Sequence, residues 1–199
     1  PLQERIDTFK RLVDRLGFGK VIWRFDPMIL TDQIGCDDLL AKIENIGNQL
    51  KGYTEKLVFS YADIRTYRKV QANLTKNSIS YREFEQGDML YVAKNLARLN
   101  ERWGFTLATC GEKIDIDQFG IIHNKCIDDD LMIKYFSEDK KLMDFLGVEI
   151  IKGDLFNPDN TIIKRKNNKD KGQRQFCGCI VSKDIGEYNT CPHLCEYCY

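Results

Sequence analysis

Three cysteines, Cys191, Cys195 and Cys198, stand close together in the stretch CPHLCEYCY. Thiolates are nucleophiles, redox groups and ligands for soft metals, and their spacing decides which chemistry is open to them. Cys191-x3-Cys195-x2-Cys198 can converge on one centre if the backbone loops around it, and Pro192 suits such a loop. The stretch supplies three thiolates, one short of a closed structural zinc site. That number suits a 4Fe–4S cluster with one iron left open, or a cluster completed by a distant fourth cysteine. Structural zinc, with His193 completing the site, and disulfides or free thiols are the alternatives.

The chain holds 8 cysteines in all, and Cys177 and Cys179 join the final three in its C-terminal segment. Clustered cysteines in a reducing cytosol read as metal or cluster ligands rather than as a disulfide scaffold. In Cys177-Gly178-Cys179, the glycine lets both sulfurs point to one side of a tight turn. Cys110 ends an expected strand and Cys126 sits in HNKCID. These four are candidate ligands of a second cluster, or one of them completes the first. Simple burial is the alternative for Cys110 and Cys126, and the better reading for Cys36. Candidate catalytic side chains are Arg24 and Asp26 in WRFDP, Asp63 after LVFSY, and Glu112 after FTLATC. Residues i and i+2 share one side of a strand, and the C-terminal ends of parallel strands are where α/β folds build sites. The competing role for the acids is capping of the helices that follow.

These groups need a scaffold. Ile6, Phe9, Leu12, Val13 and Leu16 recur at helical spacing, with Gly17 or Gly19 as the stop. VIWRFDPMIL predicts a strand that turns at Asp26-Pro27. Residues 36–50 predict a helix, 55–63 a strand, 63–76 a basic helical segment, 84–104 a long helix and 105–110 a third strand. Alternating strands and helices with short links predict βαβ units and a parallel sheet. The expected fold is α/β: a partial TIM-like (β/α) barrel over residues 1–110, followed by an irregular, cysteine-rich, cluster-binding segment over residues 111–199 of the same domain. Three strands are too few for a barrel of eight, so further N-terminal strands are expected outside this chain. Within 111–199, LMIKYF and KKLMDFLG predict short helices, and 153–172 a polar irregular stretch.

With 30 basic and 30 acidic residues the net charge is zero, so bulk charge gives no reason to expect a nucleic-acid or anionic-membrane partner. The run KRKNNKDK reads first as a solvated loop, with phosphate or nucleic-acid contact as the alternative. No apolar run reaches the roughly 20 residues of a membrane span. The amphipathic opening PLQERIDTFKRLVDRL is not a signal peptide, which predicts a cytoplasmic protein. No phosphate loop, Rossmann glycine pattern or hydrolase triad appears.

Two resemblances complete the reading. Cys191-x3-Cys195-x-Tyr197-Cys198 resembles the Cys-x3-Cys-x-aromatic-Cys motif of radical S-adenosylmethionine (SAM) enzymes. The resemblance implies that the three cysteines ligate three irons, that the fourth iron binds SAM, and that Tyr197 lies at the cofactor. It also implies a reductant such as ferredoxin or flavodoxin, and a substrate that it does not name. In those enzymes the motif follows the first barrel strand. Here it stands last, an order that a circular permutation would accommodate. The stretches VIWRFDP (21–27), TCGEKID (109–115), KCID (125–128) and QFCGCIVSKDIGEYNTCPHLCEYCY (175–199) resemble the prokaryotic family called domain of unknown function 1848. That resemblance implies a cysteine cluster on a barrel-like fold, with no established reaction. A zinc-stapled binding module without catalysis is the competing function.

Overall fold

The computed structural model describes residues 1–153, 159–187, 190–193 and 195–197. The chain divides into two compact units: Pro1–His123 with Ile185–Tyr199, and Asn124–Asp184.

The first unit opens on α1 (Leu2–Leu16), which buries Ile6 and Val13, two turns apart. Leu12 and Leu16 are about half exposed, so the apolar stripe is narrower than the sequence implied. Gly17 ends the helix at φ 102°, a conformation that a side chain resists, and its N–H returns to the Val13 carbonyl at 2.8 Å. Then come β1 (Trp23–Met28), β2 (Leu30–Thr31), α2 (Cys36–Leu50), β3 (Lys56–Tyr61), a short 3-10 turn (Ile64–Thr66) and α3 (Arg68–Lys76). β4 (Tyr81–Arg82), α4 (Gln86–Asn100), β5 (Thr106–Thr109), a second 3-10 turn (Asp117–Phe119) and β6 (Ile121–His123) complete the unit's regular elements.

Four strands form one parallel sheet in the order β1-β3-β5-β6. The sheet is open: its strand order runs linearly and no sheet closes among the described residues. The fourth strand was not expected. With only three residues, β6 is too short for a period-2 pattern to register. The expected turn at Asp26-Pro27 is also absent. β1 runs through both residues, and its register against β3 shifts between Phe25 and Met28. Proline lacks a ladder donor and is tolerated in sheets at edges and bulges, and β1 is an edge strand of this sheet.

β3 lies between two neighbours and is buried from Leu57 to Tyr61, as expected of a parallel strand covered on both faces. Alternation sends Trp23, Phe25, Leu57, Phe59 and Leu107 into one core with α2 and α4. The opposite row runs Arg24, Val58, Ala108, Ile122 in register across the sheet. Asp26 and Ser60 follow Arg24 and Val58 two residues on. The sheet therefore has an apolar face packed on helices and a face with a polar end.

The second unit contains α5 (Asp129–Phe136), α6 (Lys140–Leu146) and the antiparallel pair β7 (Val148–Ile151) and β8 (Thr161–Lys164). Both helices were expected. β8 was not, because all four of its residues are exposed and it sits in a polar stretch with no buried face to pattern. The basic run that begins at Lys164 is tied down at its start: Lys164 pairs with Asp129, Arg165 with Glu149, and the Asn168 amide donates to the Leu146 carbonyl at 2.7 Å. Among the described residues no helix is long and apolar enough to cross a membrane.

Candidate metal centre

At the C-terminal end of the parallel sheet, Asp26 accepts from the Arg24 guanidinium on one carboxylate oxygen and from the Ser60 hydroxyl on the other. Arg24 shares its strand, whereas Ser60 comes from β3, so Asp26 ties two strands together. Glu112, just after β5, accepts the Tyr61 backbone N–H at 2.8 Å and links the next pair of strands. Glu112 therefore does not act as a helix cap. Asp63 accepts from the Thr66 hydroxyl at 2.6 Å, across the 3-10 turn that begins α3's approach. Tyr61 lies beneath this edge. Its ring packs on Phe59 and Phe84 and its hydroxyl donates to the Met89 carbonyl at 2.8 Å. Burial first, then the nearby charge of Glu112 and Cys36, pushes the Tyr61 phenol far above its ordinary range.

The cysteine-rich tail reaches this same end of β3. The Tyr197 ring meets Tyr67 edge to face, with centroids 6.4 Å apart, and packs on the cluster of Ala62, Ile64, Val70 and Leu74. Asn73 donates to the Glu196 backbone carbonyl at 3.3 Å, and Asn77 donates to its carboxylate at 2.6 Å. Burial, with Tyr67 and Asp63 adding to it, pushes the Tyr197 phenol up to about 12. The tail is thus anchored through Glu196 and Tyr197, between Cys195 and Cys198. Ala62 and Asp63 directly follow β3, so the anchor lies at the strand end where parallel α/β folds gather functional groups. Cys191, His193 and Cys195 are exposed. Cys198 lies outside the described residues.

The remaining cysteines divide between the units. Cys110 directly follows β5, half-buried, with its N–H on the Phe59 carbonyl at 3.0 Å. Cys36 opens α2. Its thiol points at the Asp88 carboxylate, 3.6 Å away, and burial followed by that negative charge raises its pKa. Cys126, Cys177 and Cys179 belong to the second unit, where the Cys179 sulfur accepts backbone N–H groups from Cys126 at 3.1 Å and Ile127 at 3.5 Å. Cys177 and Cys179 are buried and Cys126 is exposed.

A family model matches residues 1–199. The chain belongs to the family described as Domain of unknown function (DUF1848). No curated protein and no solved structure matches the chain. Membership in DUF1848 was legible from the quoted motifs, but several contacts of its site were not. Ser60 carries no motif signal, although its place two residues before Ala62 on an otherwise apolar strand marks it as an odd polar group. Asn73 on α3 and its C-cap residue Asn77 are four residues apart, and both reach Glu196. Asp128, Asp129 and Asp130 bring carboxylate oxygens within 4.8 Å of one another. Their roles are local: Asp128 caps α5, and the buried Asp129 pairs with Lys125 and Lys164.

Proposed function

We propose that the chain is an iron–sulfur protein whose Cys191, Cys195 and Cys198 hold a 4Fe–4S cluster with one open iron, and that it carries out SAM-dependent radical chemistry on a substrate still to be named. The observation that carries this reading is the anchoring of Glu196 and Tyr197, inside the three-cysteine motif, at the C-terminal end of β3. A loop destined only to fray would not be held by two asparagine amides and an aromatic contact. The donor set fits the group, since soft thiolates on an exposed loop suit iron of a sulfide cluster. When bound, such a cluster supplies the electron that cleaves SAM.

The chain's own residues have separable tasks. Tyr197 and Glu196 fix the loop that carries the thiolates. Arg24, Asp26, Ser60, Asp63 and Glu112 give the neighbouring strand ends a polar, hydrogen-bonded rim on which a substrate or the polar groups of SAM can be oriented. An arc of parallel strands, with helices on one face and a polar end on the other, is what a segment of a TIM-like barrel presents. A cytoplasmic setting and a reductant such as ferredoxin or flavodoxin go with this reading, because the cluster must be kept from oxygen and recharged after each turnover.

Anaerobic purification tests it. A brown protein with iron and sulfide, which releases 5′-deoxyadenosine from SAM after reduction, supports the proposal. A colourless protein with stoichiometric zinc on the tail cysteines would sink it in favour of the zinc-stapled module. Iron without SAM cleavage under any reductant would remove the radical chemistry and leave a cluster.

A further inference from the structure

The second unit places the Cys177–Cys179 segment beside Cys126 by contacts independent of the tail. The Cys177-Gly178-Cys179 segment runs beside residues 124–127. The Gly178 N–H bonds to the Asn124 carbonyl at 3.4 Å and the Ile180 N–H to the Ile127 carbonyl at 3.2 Å. A Cβ at Gly178 would lie 2.7 Å from Lys125 Cγ, so a side chain here would have to displace Lys125. On its other side the segment is held by the Asp170 N–H on the Cys179 carbonyl at 3.0 Å and by a bridge between Lys169 and Ile180. The backbone is thus fixed around the sulfurs before any ligand is considered.

The polar contacts then converge on sulfur. Cys179 Sγ accepts two backbone N–H groups, and Asn124 donates from Nδ2 to Cys126 Sγ at 3.4 Å. A neutral thiol is a weak acceptor that gains little from such donors, whereas a charged or metal-bound sulfur gains much more. Asn124 itself is 2% exposed, and its Oδ1 is buried without a hydrogen-bond partner. The same amide faces the Cys126 sulfur through Nδ2, so an unsatisfied polar atom lies within one side chain of the thiols.

We infer that Cys126, Cys177 and Cys179 form a second, self-contained iron–sulfur site in the unit Asn124–Asp184, holding a 4Fe–4S cluster through three thiolates; the choice of cluster rests on the iron–sulfur function proposed for the chain.

The full chain, purified anaerobically and reconstituted with ferrous iron and sulfide, tests this inference by metal count, visible absorbance and electron paramagnetic resonance. The expected wild type carries about eight irons. The tail variant Cys191→Ala/Cys195→Ala/Cys198→Ala should keep half of the iron, and Cys177→Ala/Cys179→Ala should keep the other half with a different resonance signal. Cys126→Ser, at an exposed position, should preserve the circular dichroism of the fold and still shift or weaken the second signal. This arm remains informative if the buried pair proves essential for folding. A wild type with about four irons, lost in the Cys177/Cys179 variant and kept in the tail variant, supports the second site while removing the proposal for the tail. Loss of all iron in the tail variant, retention of the full complement without Cys177 and Cys179, or zinc in place of iron in the tail variant would each overturn the inference.

Discussion

The two units solve the same problem at different scales. In the unit built on the parallel sheet, β3 is buried along its length and its side chains join those of α2 and α4 in one continuous core. The unit Asn124–Asp184 has a much smaller core, Ile133, Met143, Leu146, Val148 and Ile180, and leaves Phe145, Ile162 and Val181 more than half exposed. A unit of about 60 residues buries too little surface to be stable by apolar packing with any margin. What it has in addition is polar and ionic: Asp129, buried between the ammonium groups of Lys125 and Lys164, and one thiol, Cys179, held by two backbone amides. The contrast shows where a metal group would matter most to the fold: under the proposed second site, it would supply stability to the unit whose core is thin.

That comparison can be broken or sharpened by experiment. The largest effect should come from Phe59→Ala in the sheet, where a fully buried aromatic leaves a cavity that costs about 3–5 kcal/mol. Urea unfolding should show the loss regardless of metal, since Phe59 sits in the helix-packed core and not among the proposed ligands. Asp129→Asn comes next, at about 1.5–3 kcal/mol, because it strips two charge-assisted hydrogen bonds from a buried carboxylate. Its penalty should grow when iron is removed if the second unit depends on both supports, and an equal penalty with and without iron would break the comparison.

Burial raises the pKa of Asp129, but the two lysine ammonium groups outweigh it and hold the carboxyl below the ordinary range. Its contribution is therefore complete above the unfolded value of about 4 and is lost as the pH falls through the lower folded value. Hydrogen exchange in acid should show the second unit opening there, with the Asp129→Asn variant insensitive to that step.

A smaller effect is expected at Tyr197. Its phenol is held neutral up to about 12, against an unfolded value of about 10, so the anchor contributes at neutral pH and is lost as the pH rises through about 12. Phenolate absorbance should report the late titration, and Tyr197→Phe should abolish it without lowering iron occupancy. Tyr197→Ala should lower occupancy of the tail site alone. The smallest effect belongs to the surface pair Arg82–Asp88, in which the guanidinium holds the carboxyl down to about 2. With Arg82 half exposed, Arg82→Ala should cost less than about 1 kcal/mol, and the pair's contribution should fade only as the pH drops from about 4 toward about 2.

Legibility from sequence followed length and burial. α2 was expected at 36–50 and forms from Cys36 to Leu50, because an amphipathic stripe of fifteen residues carries its own signal. β6 was missed at three residues and β8 for want of a buried face. Asp26-Pro27 was read as a turn from local propensity, whereas the strand continues to Met28 across an irregularity in its pairing with β3. Glu112 was picked for its place at a strand end. That it would bind the backbone of β3 rather than cap a helix depended on which strand lay beside it.

The sequence by itself determined the α/β alternation, the family, and the presence of a three-cysteine motif with an aromatic residue before its last member. These are statements about type and spacing, and short-range geometry is enough to read them. Only the tertiary structure decided that the strands form an open parallel sheet in the order β1-β3-β5-β6, that Glu196 and Tyr197 anchor at the end of β3, and that Cys179 faces the amides of Cys126 and Ile127. Such pairings join residues dozens to more than a hundred positions apart. Their free energy comes from burial and hydrogen bonding that exist only once the chain has folded, and no local pattern encodes them.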